Sequence, residues 1–161
     1  MAISSVVKNM RDGTLLIEDG TGTPLAVTVQ YESGDFSLSG LSQGLKEVTT
    51  YLDRGDLGSV RHTNVSFPSV SFTAHMTDLS DASELTLPDI IRKTGGFSSA
   101  VSTLGANADV YTLKLTWTIT EPGGSAHTVV LDDVHCMLDI SEGDPNSFSI
   151  SGTCYGTVAM T

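Results

Sequence analysis

Residues 109–120 alternate without a break: Tyr111, Leu113, Leu115, Trp117 and Ile119 share one parity, and Thr112, Lys114, Thr116, Thr118 and Thr120 the other. A period of two with β-branched and aromatic residues marks a strand buried on one face. Such a strand cannot hide its apolar face or satisfy its backbone alone, so it commits the chain to a sheet packed against something else. After the turn residues Pro122, Gly123 and Gly124 the alternation resumes at 127–140. There Val134, Cys136, Leu138 and Ile140 oppose Asp133, His135, Met137 and Asp139. A second turn at 141–146 leads into a strand at 147–160, with Phe148, Ile150, Cys154 and Val158 on one parity.

The first half of the chain repeats the theme. Residues 14–18 and 25–31 read as a hairpin around the glycine-rich turn at 19–24. A strand at 35–40 places Phe36 and Leu38 on one face, and residues 1–10 read as a short strand or an ordered arm. Residues 64–76 alternate too but change phase at Pro68 and Ser69, which predicts a bulge. One helix is expected at 83–95. Thr86 caps it, Pro88 and Asp89 suit its first turn, Arg92 and Lys93 its last, and Gly95 stops it. Leu87, Ile90 and Ile91 give it an apolar stripe. The expectation is a single, mainly β domain over residues 1–161: an antiparallel β-sandwich or barrel with one flanking α-helix.

One stretch does not fit a minimal sandwich. Residues 41–62 join two strands through roughly twenty residues, whereas connections beyond about 12–15 residues are usually functional or disordered. This one carries Leu41, Leu45, Val48, Tyr51, Leu52, Leu57 and Val60, too much apolar surface for a solvated linker. It either folds back on its own domain or waits for a partner. Its charges balance, Lys46, Arg54 and Arg61 against Glu47, Asp53 and Asp56. The rest of the chain carries the whole formal charge of −11, from 8 Lys+Arg against 19 Asp+Glu. So acidic a chain is a poor ligand for nucleic acid, whose binding rests on Lys and Arg at phosphates. An adhesive, balanced loop on a mutually repelling body is the picture this gives.

Catalytic and ligand-binding patterns are absent. The four histidines (His62, His75, His127, His135) and two cysteines (Cys136, Cys154) show no metal-ligand spacing. His135 and Cys136 point to opposite faces of their strand, as do Asp132 and Asp133. No nucleophile signature occurs, and Gly20 and Gly22 lack the third glycine of a dinucleotide loop. Arg54-Gly55-Asp56 reads as a turn rather than an adhesion motif. No charged segment followed by an apolar run opens the chain, and no apolar run nears the roughly 18 residues of a membrane span. The chain is therefore expected to stay in a cytoplasm, with Cys136 and Cys154 as buried free thiols.

Four segments carry a resemblance: GTLLIEDGTG at 13–22, YESGDFS at 31–37, YLDRGD at 51–56 and PSVSFT at 68–73. Through them, and through most of its length, the chain resembles the tail tube (major tail) proteins of long-tailed bacteriophages. The resemblance implies a non-enzymatic virion protein, assembled in the host cytoplasm, without cofactor, metal or membrane insertion. Six copies form a ring, and rings stack into a conduit through which DNA is ejected without specific binding. Tape measure, terminator and distal tail proteins are the further partners implied. The long loop then reaches an adjacent subunit or ring through Leu45, Val48, Tyr51, Leu52, Arg54, Asp56 and Leu57. One sheet lines the channel, with Thr112, Thr116, Thr118, Asp133 and Asp139 as the candidate lumen-facing residues. The loop and the lack of a sheath-docking feature lean toward a non-contractile tail. A type VI secretion tube protein shares the architecture. A carbohydrate-binding β-sandwich is the alternative of another class and would need exposed aromatics on a concave face.

Overall fold

The computed structural model describes residues 13–29, 35–120 and 125–161. The expected segment at 1–10, the end of the strand at 30–31 and most of the turn at 121–125 fall outside them. The elements in chain order are β1 (Thr14–Glu18), β2 (Ala26–Thr28), β3 (Ser37–Ser39), β4 (Lys46–Asp53), β5 (Asp56–Val65), β6 (Ser69–His75), α1 (Leu87–Arg92), β7 (Leu113–Thr120), β8 (Ala126–Ser141), β9 (Ser147–Cys154) and β10 (Val158–Met160). Eight strands form one antiparallel sheet in the order β2-β1-β7-β8-β9-β6-β3, with β10 also on β8, while β4 and β5 pair only with each other. The mainly β, antiparallel fold with a flanking helix is as the sequence predicts.

The sheet folds over at β8, which serves both of its halves. The first part of β8 pairs with β7 up to Leu113↔Val134, and its second part pairs with β9 from Val134↔Cys154 to Ser141↔Ser147. Between them the register with β7 slips, Leu115 facing Leu131 and Leu113 facing Val134. Asp133 takes a left-handed φ of 54° there, the mark of a bulge that bends a strand. Opposite it, residues 155–157 interrupt the expected strand at 147–160, giving β9 and β10. Tyr155 N–H donates to the Asp133 carbonyl at 3.0 Å and Asp132 N–H to that of Thr157 at 3.0 Å, so the irregular backbone stays satisfied. The bend brings the two halves face to face over one core, which includes Leu15, Ile17, Leu115 and Leu131 from one half and Val70, Phe72, Phe148 and Ile150 from the other. Phe36 and Trp117 join the halves, stacked at 5.3 Å between ring centroids.

Pro68 is not the bulge expected of it. β5 ends at Val65 and β6 starts at Ser69, in different sheets. The phase change at Pro68 is the boundary between them, and proline, without an N–H, suits a strand entrance.

The helix is short, Leu87–Arg92, with Thr86 as its cap: the Thr86 side chain accepts from Asp89 N–H, and Lys93 ends it in the left-handed region. It does not reach back to residue 83 because Asp81 Oδ1 accepts the N–H groups of Ser83 and Glu84 and holds that stretch as a turn. Leu87, Ile90 and Ile91 are buried and Arg92 and Lys93 exposed, as expected. Ile90 has no exposed surface. Ile90→Ala should therefore cost roughly 2–5 kcal/mol, read from chemical denaturation. A loss under about 1 kcal/mol would show that the helix is only loosely docked.

Cys136 and Cys154 are free and buried. Cys136 faces Gly152 and Cys154 faces Val134, so they are diagonal rather than opposite. Burial pushes the Cys136 thiol up to about 12, which keeps it protonated and unreactive.

Candidate assembly surfaces

The stretch read as a loop is a β-hairpin arm. β4 and β5 are joined by Arg54 and Gly55, both at positive φ (51° and 95°), as a two-residue hairpin turn requires. At the base, Ser66 N–H donates to the Leu45 carbonyl at 2.8 Å. With eight residues in β4 and about 3.3 Å per residue, the arm is roughly 26 Å long. Among the described residues it makes no sizeable contact with any other strand or with the helix.

The arm has an apolar face. Val48 opposes His62, Thr50 opposes Val60 and Leu52 opposes Leu57, with Val65 across from Lys46 on the same side. Thr49, Tyr51, Ser59 and Arg61 lie on the other side. Val48, Leu52, Leu57 and Val60 are 58%, 64%, 64% and 52% exposed. A lone two-stranded hairpin is marginal in water, and each such side chain would gain about 1.5–3 kcal/mol by full burial. Of the seven residues singled out in the sequence, Val48, Leu52 and Leu57 share this face. Tyr51 is on the opposite one, Arg54 is in the turn and Asp56 follows it, and Leu45 is half-buried at the base.

The five residues singled out for a channel wall do not share a face. Thr112 is fully buried, where Ser102 and Thr103 bond its hydroxyl at 2.9 and 2.8 Å, so it lines no surface. Its parity was right for the outer side, but it precedes β7 in the chain and is covered by the 102–104 segment. Thr116 and Thr118 are half-buried on the outer side of the first half, opposite Leu16 and Thr14. Asp133 sits in the β8 bulge, accepting from Thr103 Oγ1 at 2.7 Å. Only Asp139 lies on the outer side of the second half.

That outer side, on β8-β9-β6-β3, is the more uniform surface. Across it run the rows His135–Thr153–Ser69–Ser39, Met137–Ser151–Ser71–Ser37 and Asp139–Ser149–Thr73. Asp35 joins the last row, accepting from Thr73 N–H at 2.9 Å. The wall is hydroxyl-rich and contains neither Lys nor Arg, with Asp35 and Asp139 as its carboxylates. The signal was in the sequence, as serine at every second position of SVSFT (69–73) and SFSIS (147–151). Both borders of this half-sheet are open among the described strands. β3 ends the order at one side, and beyond Val134 the β8 edge that faced β7 has no partner strand.

Behind the helix, a carboxylate holds the 80–96 segment. Asp89 is fully buried and accepts from Ser80 Oγ at 2.8 Å, Asp81 N–H at 3.0 Å, Thr86 Oγ1 at 2.9 Å and Thr94 Oγ1 at 2.7 Å. Burial pushes its carboxyl up, but the bonds from Thr94, Asp81, Ser80 and Thr86 outweigh this and hold it at about 2. Gly95, at φ 52°, lies against it where any side chain would collide with the carboxylate. This is a structural anchor with no room for a ligand.

Among the described residues, no group of three or more His, Cys, Asp or Glu could hold a metal ion, and no helix is long and apolar enough to cross a membrane. Of the exposed aromatics, Phe67 and Tyr155 meet edge to face, at 61° between planes, and Tyr51 is on the arm.

No protein-family model and no curated protein matches the chain. Solved structures do share its fold. A chain of the sheath–tube complex of an extracellular contractile injection system, PVC, in the extended state, has TM-score 0.55 at 13% identity, covering 99% of this chain and 93% of that one. A chain of the sheath/tube terminator of PVC has TM-score 0.54 at 15% identity, covering 99% of each. A chain of the tube-terminating cap of the anti-feeding prophage has TM-score 0.52 at 11% identity, covering 100% of this chain and 94% of that one. At these identities the likeness shows the fold. These neighbours come from contractile systems and lend no support to the expected non-contractile tail.

Proposed function

We propose that the protein is a structural subunit of a tail-like tube, whose copies associate into rings, six-fold as in the family it resembles, around a hollow channel. The arm carries this reading: a roughly 26 Å hairpin with an exposed apolar face and no sizeable contact with any other described strand or with the helix. The tube and terminator structures that share the fold support it, and the open borders of the hydroxyl wall allow neighbouring subunits to join into one barrel. Negative-stain microscopy of the purified protein tests it. Long tubes mean a tube subunit and single rings a terminator-like one; monomers at every concentration would overturn the reading.

The hydroxyl wall is the surface we assign to the lumen, in place of the mixed set on β7 and β8. Hydroxyls wet such a wall without holding a polyanion, and its carboxylates keep DNA off it, since DNA carries about one charge per 1.7 Å of axis. Asp139→Lys should leave tubes intact by microscopy yet slow passage of a DNA cargo, most at low salt, where screening is weakest. Asp133→Lys, at the bulge, should have no such effect. Equal rates for wild type and Asp139→Lys across salt would remove Asp139 from the lumen.

A further inference from the structure

The arm leaves the body at Pro68, the entrance to β6. At the other end of that strand is a groove of about 200 Å³, lined by Ala74 and His75, by Val27 and Val29 in and after β2, which ends the sheet among the described strands, and by Leu85 and Leu87 ahead of and at the start of the helix. An apolar cavity of about 150 Å³ already admits a benzene-sized molecule, so this groove has room for an aliphatic side chain. Leu85, on its rim, is 48% exposed. Asp78 and Glu84 also line it, both exposed, and no Lys or Arg does.

We propose that the tip of one copy's arm, through Leu52 and Leu57, seats in this groove of the next copy, with Arg54 at the turn meeting Asp78 and Glu84. This rests on the reading that the chain assembles with itself. Leu52 and Leu57 face each other next to the turn and are among the most exposed apolar residues of the described chain. Arg54 has no ion-pair partner among the described residues, nor do Asp78 and Glu84; Asp53 and Asp56 face each other beside it, so the contact rests on the two leucines and Arg54 offsets the repulsion between the acids. Two other depressions fit less well. The one beside Asp35 and Asp139 is part of the hydroxyl wall. In the one beside Asp132 and Asp133, those carboxylates already accept from Thr157 and Thr103. A knob at one end of the body and a hole at the other make a heterologous contact, which repeats into a ring or a helical stack.

Paired cysteines test this, because the native thiols are buried. Leu52→Cys with Leu85→Cys, assembled and treated with a short bismaleimide, should give a ladder of covalent multimers. Leu52→Cys with Leu104→Cys, on an exposed loop elsewhere, should not. Glu84→Arg should cut the assembled fraction several-fold and Arg54→Glu in the same chain should restore it. Tubes that form from the Leu85 variant without a ladder would overturn the groove contact and leave self-assembly standing. Cross-linking that stops at dimers would replace head-to-tail contact by reciprocal exchange, and Leu85 cross-linking only to a cysteine placed in residues 1–12 would give the groove to that segment; either overturns the proposal. A wild-type protein that never assembles would remove the reading on which it rests.

Discussion

Excising residues 46–65 and joining Leu45 to Ser66 through two glycines should leave a folded, soluble monomer that forms neither tubes nor rings. Leu45 and Ser66 are already hydrogen-bonded neighbours at 2.8 Å, so a tight turn can span the gap. The arm's apolar residues contribute nothing to the core, which is drawn from the folded-over sheet, the helix and the segments beside them. Stability should change by less than about 1 kcal/mol, as for surface changes away from buried features. Assembly should be lost, because the face formed by Val48, Leu52, Leu57 and Val60 is gone. Leu52→Asp with Leu57→Asp, which keeps the arm, should give the same loss by placing two charges at its tip. Thermal melts followed by circular dichroism, sedimentation and microscopy read all three outcomes. Long tubes from the excised protein would show that the arm is dispensable.

Replacing Asp89 by Ala should be strongly destabilising, at roughly 2–4 kcal/mol, since hydrogen bonds to a charged group are worth about 1.5–3 kcal/mol. Three hydroxyls and one backbone N–H converge on that carboxylate; Thr86 is the buried donor, and a buried donor left without an acceptor costs about 1–3 kcal/mol. Total domain stabilities are only about 5–15 kcal/mol, so the loss should be visible as a large fall in Tm. The sign of the pH effect follows from the depressed carboxyl, at about 2 against an ordinary 3.8. Its contribution, about 2 kcal/mol, is fully present above pH 4 and is lost as the pH falls through 2. Asp89→Asn should therefore be less stable at neutral pH and lose less than wild type between pH 4 and pH 2. A neutral-pH cost under about 1 kcal/mol for Asp89→Ala would mean that the 80–96 segment does not depend on it.

Strands and helix were legible in the sequence because period and capping are local. Trp117, Leu115 and Leu113 face inward as their parity requires, and Thr86 caps the helix. The arm was legible in pieces: Arg54-Gly55 read as a turn, and Val48, Leu52 and Leu57 read as exposed for a partner. Opposite Lys46–Val48 and Tyr51–Leu52 the register shifts by an extra residue in β5, which breaks the alternation of that strand and made the stretch resemble a loop. Thr112 misled because parity gives the side of a strand and not what covers it. The hydroxyl wall went unread for a related reason. The serines of β3, β6 and β9 lie far apart in sequence, and only strand order places Ser37, Ser71 and Ser151 in one row. Nor could parity show that β8 bends at Asp133 and serves two halves of the sheet. That long-range pairing is what separates Asp133 from Asp139.

A cryo-EM reconstruction of the assembled protein tests the central claim most directly. The account predicts a hollow tube or ring whose channel is lined by Ser37, Ser71, Ser149, Ser151 and Asp139, with each arm buried against another copy. A map with that serine face on the outside, or with the arms projecting free into solvent, would contradict it.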